Sequence, residues 1–230
     1  MRSIIQLTQS SALRSLVTGL VVAMLLSVTM FFAKAAQAQS FEEGVHYTEF
    51  DLPRTDKPTI TEIYSVFCPG CYAFEANYRM IKKAVPENVE FERHHSWGMV
   101  GTNAEAMNGI AKLNAISEIY SDELSNRVMW DVFTMIHEKR TKPDVPDLHK
   151  ILGQYNNLVS KDLHKVYDSF QVRSMIAKSK QQLDKWRSEG VTKGTPTWVV
   201  NGKYRINIGK LDRDQFFQEF NALLNYLLEK

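Results

Sequence analysis

The stretch Phe67-Cys68-Pro69-Gly70-Cys71 holds the only two cysteines of this 230-residue chain and separates them by two residues. The segment before it, Thr59 to Phe67, mixes β-branched and aromatic residues, as a buried strand does. After Cys71 the apolar residues recur at steps of three or four, which is the period of an α-helix. The sequence therefore predicts a strand, a Cys-x-x-Cys pair and a helix in direct succession.

The helical period also separates the two sulfurs. Cys71 lies three residues before Phe74, on the apolar face of the predicted helix, whereas Cys68 precedes that face and is expected at the helix tip. Pro69 suits the first turn, where its missing N–H costs nothing, and Pro86 is expected to end the helix. We therefore predict one exposed and one partly buried cysteine. The apolar face consists of Phe74, Tyr78, Ile81 and Val85.

Residues 1–38 have the three-part layout of a secretory signal peptide. Two arginines lie in the leader, an uncharged and mostly apolar run extends from Ser15 to Phe32, and Ala36-Gln37-Ala38 supplies small residues for a cleavage site. We expect cleavage after Ala38 and export of the remainder. The alternative is an uncleaved membrane anchor, because the apolar run is long for a signal peptide.

The charge balance excludes some classes of protein. The predicted signal peptide carries three of the 28 basic residues and none of the 26 acidic ones, so the exported part is close to neutral. A nucleic-acid-binding protein is expected to present a basic patch or stripe, and a polybasic membrane patch would also need excess positive charge. We therefore expect neither a nucleic-acid partner nor such a patch.

The size of the exported part bears on the role of the two cysteines. About 190 residues can bury a core without disulfide cross-links, so two cysteines this close together are expected to serve chemistry. The alternative is half of a zinc site, which needs two further ligands. Adjacent strand residues point to opposite faces, so His94 and His95 are poorly placed to bind one ion. We expect no metal.

The rest of the sequence predicts an α/β fold with a helical insertion. Residues 39–100 and 172–230 are expected to form the two parts of one domain, and residues 101–171 an inserted helical domain. Asn201-Gly202 between two strand-like runs is a strong hairpin signal. The predicted strands are 47–52, 59–67, 89–96, 197–200 and 203–208. The predicted helices are 71–85, 103–120, 121–137, 147–155, 160–170 with Ser160 as a cap, 172–189 and 211–228.

The predicted helix tip gives the cysteines different roles. Disulfide exchange is carried out by a thiolate, and a free cysteine, with a pKa of about 8.5, is mostly protonated at neutral pH. The unpaired N–H groups and the dipole at a helix N-terminus favour an anion. We therefore assign Cys68 as the nucleophile, and Cys71, one turn inward, as the resolving thiol.

Three motifs give the chain a resemblance to the DsbA family, the bacterial periplasmic thiol:disulfide oxidoreductases. They are Phe41-Glu42-Glu43-Gly44, the run from Glu62 through Phe67-Cys68-Pro69-x-Cys71-Tyr72-x-Phe74-Glu75, and Gly194-x-Pro196 followed by Val200-Asn201-Gly202-Lys203-Tyr204. The resemblance spans nearly all of the chain after residue 38. It implies a thioredoxin fold interrupted by a helical domain.

The resemblance also implies roles for four residues outside the cysteine pair. Glu62 and Glu75 are expected to relay protons near the sulfurs, although Glu75 could instead be a solvated helix residue. Pro196 matches the family's cis-proline, which with Thr195 is expected to bind an extended substrate segment; the alternative is an ordinary trans proline. Thr195 stands where the family commonly has Val.

The dipeptide between the cysteines departs from the family pattern. It is usually Pro-His but here is Pro69-Gly70, so a side chain that could stabilise the Cys68 thiolate is missing. We therefore expect a weaker oxidant than a typical DsbA.

The resemblance implies a periplasmic dithiol oxidase whose only redox group is the Cys68–Cys71 disulfide, with no cofactor. Its substrates would be unfolded exported proteins with free cysteines, and a DsbB-like membrane quinone reductase would reoxidise it. The protein is expected to be a monomer. Two alternatives remain: a reductase or isomerase, which Gly70 and Thr195 favour, and a non-catalytic peptide-binding holdase, against which the intact cysteine pair argues.

Overall fold

The computed structural model describes residues 40–96 and 104–230. The predicted signal peptide at 1–38, its alternative as a membrane anchor, and the predicted boundary between residues 100 and 101 lie outside these residues. Within the described part of the chain, no helix is both long and apolar enough to cross a membrane.

A mixed five-stranded sheet forms the centre of the fold, in the order β1-β5-β4-β2-β3. Strand β2 is buried at all six positions, which explains its nearly continuous apolar and β-branched sequence. It pairs with β3 in parallel and with β4 antiparallel. The strands are β1 (Tyr47–Glu49), β2 (Thr59–Tyr64), β3 (Glu90–His95), β4 (Thr197–Val200) and β5 (Tyr204–Ile206).

Helices cover both faces of the sheet. Helices α1 and α7 pack on the face that carries Ile60 and Trp198, and α6 packs on the opposite face against Ile63 and Val199. The helices are α1 (Pro69–Ala84), α2 (Ala104–Tyr120), α3 (Asp122–His137), α4 (Val145–Gly153), α5 (Asn156–Val159), α6 (Phe170–Ser188) and α7 (Phe216–Glu229). Residues 41–230 form one compact unit. This is the predicted α/β architecture.

Helices α2 to α5 follow β3 in the chain and build a second core beside the sheet. This core contains Leu113, Val128 and Phe133 from the helices, together with Tyr64 and Cys71 from the sheet region. The inserted helices therefore pack directly against the carboxyl end of β2 and the first turn of α1. The packing of these helices buries Cys71, the inner of the two cysteines.

The hairpin between β4 and β5 forms at the predicted Asn201-Gly202. Both residues have positive φ, 51° and 68°, as a two-residue turn of this kind requires. The Asn201 side chain is buried and accepts a hydrogen bond from the Thr59 N–H at 3.2 Å. It also donates to the Leu227 carbonyl at 3.0 Å. One residue thus joins the hairpin, the central strand and α7.

Several predicted boundaries are wrong, and local hydrogen bonds explain them. The predicted helix from Ser160 to Phe170 does not form, because Ser160 adopts a left-handed conformation at the end of α5. A short 3₁₀-helix, Leu163–Val166, follows instead, with Asp162 as its cap. Helix α4 begins at Val145 rather than at 147, because Asp144 forms a capping box there.

The two ends of the domain also differ from the prediction. Strand β1 ends at Glu49 instead of continuing to Leu52. Helix α7 begins at Phe216 instead of Leu211. The Asp212 side chain accepts the Asp214 N–H at 2.7 Å, which holds this segment in a turn before the helix.

The buried contacts of Asn201 predict a large effect of its removal. In Asn201→Ala, the Thr59 N–H and the Leu227 carbonyl lose their partners, and alanine must adopt a positive φ. We expect a loss of about 2–4 kcal/mol in the free energy of unfolding, measured by urea denaturation. Asn77→Ala, which removes one exposed bond to the Ala73 carbonyl, is the control and should change stability by less than about 1 kcal/mol. Equal effects of the two substitutions would contradict this.

Candidate active site

Cys68 lies at the N-cap of α1, where the chain is still extended, with φ −90° and ψ 119°. Its Sγ accepts a hydrogen bond from the Cys71 N–H at 3.4 Å and lies 3.2 Å from the Thr195 carbonyl oxygen, to which the thiol donates. The side chain is partly exposed, and both cysteines are free thiols in this structure. Pro69 occupies the first turn, as predicted. The outer sulfur therefore sits at a helix N-terminus and remains accessible.

Cys71 is fully buried one turn further along α1. Its Sγ accepts a hydrogen bond from the Ser65 N–H at 3.5 Å. Burial raises the pKa of the Cys71 thiol well above its usual range, and the negative charge of Glu62 adds to the rise. The inner sulfur is therefore held as a thiol unless a base removes its proton.

The loop before β4 faces the cysteine pair. The Thr195–Pro196 peptide bond is cis, and the Thr195 carbonyl is the one that faces the Cys68 sulfur. Gly70 lies against this loop: a Cβ added there would be 3.2 Å from Pro196 Cδ and 3.7 Å from the Cys68 Sγ. The short Pro-Gly dipeptide thus leaves little between the sulfur and the proline ring.

Glu62 and Glu75 share a single buried partner, Arg93. The guanidinium Nε donates to Glu62 Oε2 at 2.7 Å, and Nη2 donates to Glu75 Oε2 at 2.6 Å. The rings of Tyr64 and Tyr78 lie 4.4 and 4.3 Å from the guanidinium carbon. All three charged side chains are almost completely buried. The alternative that Glu75 is a solvated helix residue is therefore wrong.

Glu62 shares its guanidinium partner with a second buried carboxylate. Burial raises the pKa of Glu62 to about 7; the charge of Arg93 opposes the rise, and the charge of Glu75 adds to it. The pKa of Arg93 would be lowered by burial, but Glu62 and Glu75 raise it well above its usual range. Arg93 therefore stays charged, and Glu62 changes protonation near neutral pH.

Sequence reasoning missed Arg93 because it is one of several polar residues in the predicted strand 89–96. The parallel register places it directly opposite Glu62. A charged residue in a strand otherwise expected to be half buried was the available signal, since buried charges need partners. Only the pairing of β2 with β3 shows which acid it contacts.

Two histidines hold the backbone just before Cys68, a role that the sequence did not indicate. His95 Nε2 accepts the Val66 N–H at 3.3 Å, and His137 Nε2 donates to the Val66 carbonyl at 2.8 Å. Burial, followed by the charge of Arg93, lowers the pKa of His95 to about 3. His94 faces the other side of the sheet, where its ring lies 2.9 Å from Ser179 Oγ. The predicted opposite orientation of the two adjacent histidines is thus confirmed.

An apolar groove of about 640 Å³ opens beside the cysteine pair. Its walls come from the first turn of α1, the cis-proline loop and the start of α7. The residues that matter here are Gly70, Phe74, Pro196, Ile208, Phe216 and Phe217. An extended apolar segment lying in this groove would be close to Cys68.

Comparison with known proteins agrees with this geometry. No protein-family model matches the chain. The thiol:disulfide interchange protein DsbA of Pectobacterium carotovorum subsp. carotovorum is 26% identical over 214 residues, which cover 90% of this chain and 96% of the relative. DsbA of Escherichia coli strain K12 is also 26% identical, over 87% of this chain and 95% of its own.

Solved structures give the same result. The crystal structure of DsbA from Klebsiella pneumoniae superposes with a TM-score of 0.68 at 24% identity, covering 84% of this chain and all of that one. A Pseudomonas aeruginosa DsbA variant superposes with a TM-score of 0.60 at 26% identity. The chain is a DsbA-like thiol:disulfide oxidoreductase.

The likeness to the DsbA structures explains the architecture. The sheet and helices α1, α6 and α7 form the thioredoxin fold that the resemblance implied, and α2 to α5 are its helical insertion. The Cys-x-x-Cys pair and the cis-proline belong to the thioredoxin part. The DsbA relatives are matched over almost their whole length.

The lowered pKa of His95 predicts acid sensitivity. The native state keeps this imidazole neutral, while the unfolded state gains a proton below about pH 6.5, so its contribution to stability is lost as pH falls. Between pH 7 and pH 5 the loss is on the order of 2 kcal/mol. The variant His95→Gln keeps an acceptor for the Val66 N–H. Between pH 7 and pH 5 its free energy of unfolding should fall by about 2 kcal/mol less than that of the wild type. Exposed His164→Gln should retain the wild-type pH dependence; identical slopes for both variants would disprove the assignment.

Proposed function

We propose that this protein is a dithiol oxidase of the periplasm, introducing disulfide bonds into exported proteins. The observation that carries the proposal is the asymmetry of the cysteine pair. Cys68 Sγ is accessible at a helix N-terminus, whereas Cys71 is buried with a raised pKa. No cofactor is needed, because the Cys68–Cys71 disulfide itself accepts the two electrons.

The reaction follows from the positions of the two sulfurs. A substrate thiolate attacks Cys68 Sγ of the oxidised pair, a substrate–Cys68 disulfide forms, and Cys71 leaves as a thiolate that must take up a proton. A second substrate thiolate then attacks the substrate sulfur of the mixed disulfide and releases Cys68. The substrate loses two electrons, and the enzyme is left as a dithiol.

Glu62 supplies the proton in this scheme. Its pKa of about 7 leaves a large fraction of the carboxyl protonated at neutral pH, and its charge acts on the buried Cys71 sulfur. A group with such a pKa can donate a proton to the leaving thiolate and take it back when Cys71 attacks during reoxidation. Glu75 binds the same guanidinium, and we propose that its role is to hold Arg93 in position.

Glu62→Gln tests this role. We expect single-turnover reduction of the oxidised enzyme by a dithiol peptide to slow by about tenfold at pH 6–7. The rate is first corrected for the fraction of peptide thiol that is ionised at each pH. The corrected wild-type rate should then fall as pH rises through about 7, where Glu62 loses its proton, and the Glu62→Gln rate should not. Glu75→Gln is the matched control, since it removes the other carboxylate bound to Arg93. A parallel pH profile for the two variants would contradict the assignment.

Reoxidation requires a partner that accepts two electrons. We expect a DsbB-like membrane quinone reductase, whose own disulfide the Cys68 thiolate attacks. The apolar groove beside Pro196, with Phe216 and Phe217 in its wall, suits an extended apolar segment of such a partner. The protein is expected to meet both substrates and partner as a monomer.

The strength of the oxidant depends on the dipeptide between the cysteines. Gly70 itself places no side chain beside the Cys68 sulfur, where an added Cβ would lie 3.7 Å away. We expect a redox titration with glutathione to give a potential between about −270 mV, typical of thioredoxin, and about −120 mV, typical of a strongly oxidising DsbA. Gly70→His should move it toward the latter value. A thioredoxin-like potential in the wild type would overturn the oxidase direction.

A trapping experiment decides between oxidase and reductase or isomerase. Cys71→Ser should accumulate mixed disulfides with exported proteins, recovered from a strain that lacks its other oxidases. Capture mainly of proteins that carry wrong disulfides would instead support the isomerase, which Gly70 and Thr195 favour. Undiminished activity of Cys68→Ser in aiding the refolding of reduced proteins would support a holdase.

A further inference from the structure

A second cleft lies further along α1 than the cysteine pair. It lies between α1 and α3 and has a volume of about 310 Å³. The residues that matter here are Glu75, Arg79, Asn126, Trp130, Asp131 and Tyr155. None of them belongs to the apolar groove beside Pro196, so the two depressions are separate.

Aromatic rings connect this cleft to the cysteines. The Tyr72 ring, next to Cys71 in the chain, stacks on Trp130 with ring centres 5.6 Å apart. On the other side Tyr72 stacks on His137 at 4.8 Å, nearly parallel. Trp130 remains 37% exposed. A large aromatic side chain is therefore open to solvent at the mouth of the cleft, next to the first turn of α1.

The polar groups in the cleft differ in whether they have partners. Asp131 accepts a hydrogen bond from the Tyr155 hydroxyl at 2.8 Å, and Arg127 forms an ion pair with Glu123. Asn126 Oδ1 is buried and has no hydrogen-bond partner. The Arg79 side chain forms no hydrogen bond or ion pair with residues 40–96 or 104–230. The cleft thus offers one unpaired acceptor and one unpaired cationic donor.

A short peptide bonded to Cys68 is long enough to reach the far end of the cleft at Arg79. Cys68 and Arg79 are eleven positions apart along α1, which corresponds to about 16 Å of helix. An extended chain rises about 3.3 Å per residue, so about five residues cover this distance. An extended backbone carries N–H and carbonyl groups for Asn126 and Arg79 regardless of its side chains.

We propose that the cleft between α1 and α3 binds about five residues of the substrate polypeptide next to the cysteine joined to Cys68. This proposal rests on the proposed function, because it needs a substrate at Cys68. An apolar or aromatic side chain packs against Trp130, and the backbone pairs with Asn126 and Arg79. Continuity with the cysteine selects this occupant, since any polypeptide bonded to Cys68 must leave the sulfur along the surrounding surface.

Trp130→Ala is the first test. We expect kcat/KM for oxidation of an unfolded ten-residue peptide with a central cysteine pair to fall about tenfold, as for an exposed aromatic anchor. Dithiothreitol is too short to contact the cleft while it is bonded to Cys68, so its rate of oxidation should stay within about twofold of the wild-type rate. Trp130→Phe keeps an aromatic face and should stay within about threefold of wild type for both substrates. Phe170→Ala removes another exposed aromatic, outside the cleft, and should change neither rate.

A peptide-length series is the second test. Extending the peptide on one side of its reactive cysteine should raise kcat/KM up to about five added residues and no further. The gain should vanish in Trp130→Ala. Equal losses of Trp130→Ala with peptide and dithiothreitol, or a length dependence that survives the substitution, would overturn the proposal. So would a loss that accompanies dissociation of a dimer of this chain.

Failure of the proposed function would look different. If the protein is not an oxidase, the wild type itself does not oxidise the peptide or dithiothreitol. If only the cleft proposal fails, the wild type oxidises both, and the Trp130 and Phe170 variants behave alike.

Discussion

A buried guanidinium between two carboxylates joins the three elements that hold the cysteine pair. Arg93 on β3 binds Glu62 on β2 and Glu75 on α1, with tyrosine rings on either side. Removing Arg93 would leave two buried carboxylates unpaired, which typically costs 3–5 kcal/mol. An apolar set of similar volume can be equally stable, so stability alone does not require the triad. Its specific consequence is a carboxyl group that titrates near neutral pH beside a buried thiol.

The inserted helices act on the site in two ways, by holding the backbone before Cys68 and by burying Cys71. Val66 is held by His95 from the sheet and by His137 from the end of α3. The same helices bury Cys71 in the second core. The insertion therefore sets the difference between the sulfurs: without it Cys71 would lose the burial that is the largest cause of its raised pKa.

The Pro69-Gly70 dipeptide between the cysteines limits which groups can stabilise the Cys68 thiolate. Gly70 places only backbone between Cys68 and the Pro196 ring, so stabilisation of the outer thiolate is left to the N-terminus of α1. The backbone N–H of Cys71 is the donor that remains in contact with the sulfur. Aromatic surface lies on either side, around Phe216 in one groove and Trp130 in the other, and in our proposals this surface contacts the polypeptide.

The sequence by itself determined the strand, the Cys-x-x-Cys pair, the helix and the hairpin at Asn201-Gly202. Each depends on neighbours in the chain: apolar period, a proline in the first turn, a turn that needs positive φ. It also separated the exposed Cys68 from the inner Cys71. It failed at Ser160, where a left-handed backbone conformation ends α5, and at Asp144, whose side-chain cap moves the start of α4.

Tertiary structure alone decided the partners of the buried charges. Glu62 was predicted to act near the sulfurs, but nothing in the chain indicated that Arg93, 31 positions away, would bind both it and Glu75. The two histidines on Val66 also come from distant elements. Such contacts depend on strand register and on where the inserted helices pack, and these are properties of the whole fold that no local pattern encodes.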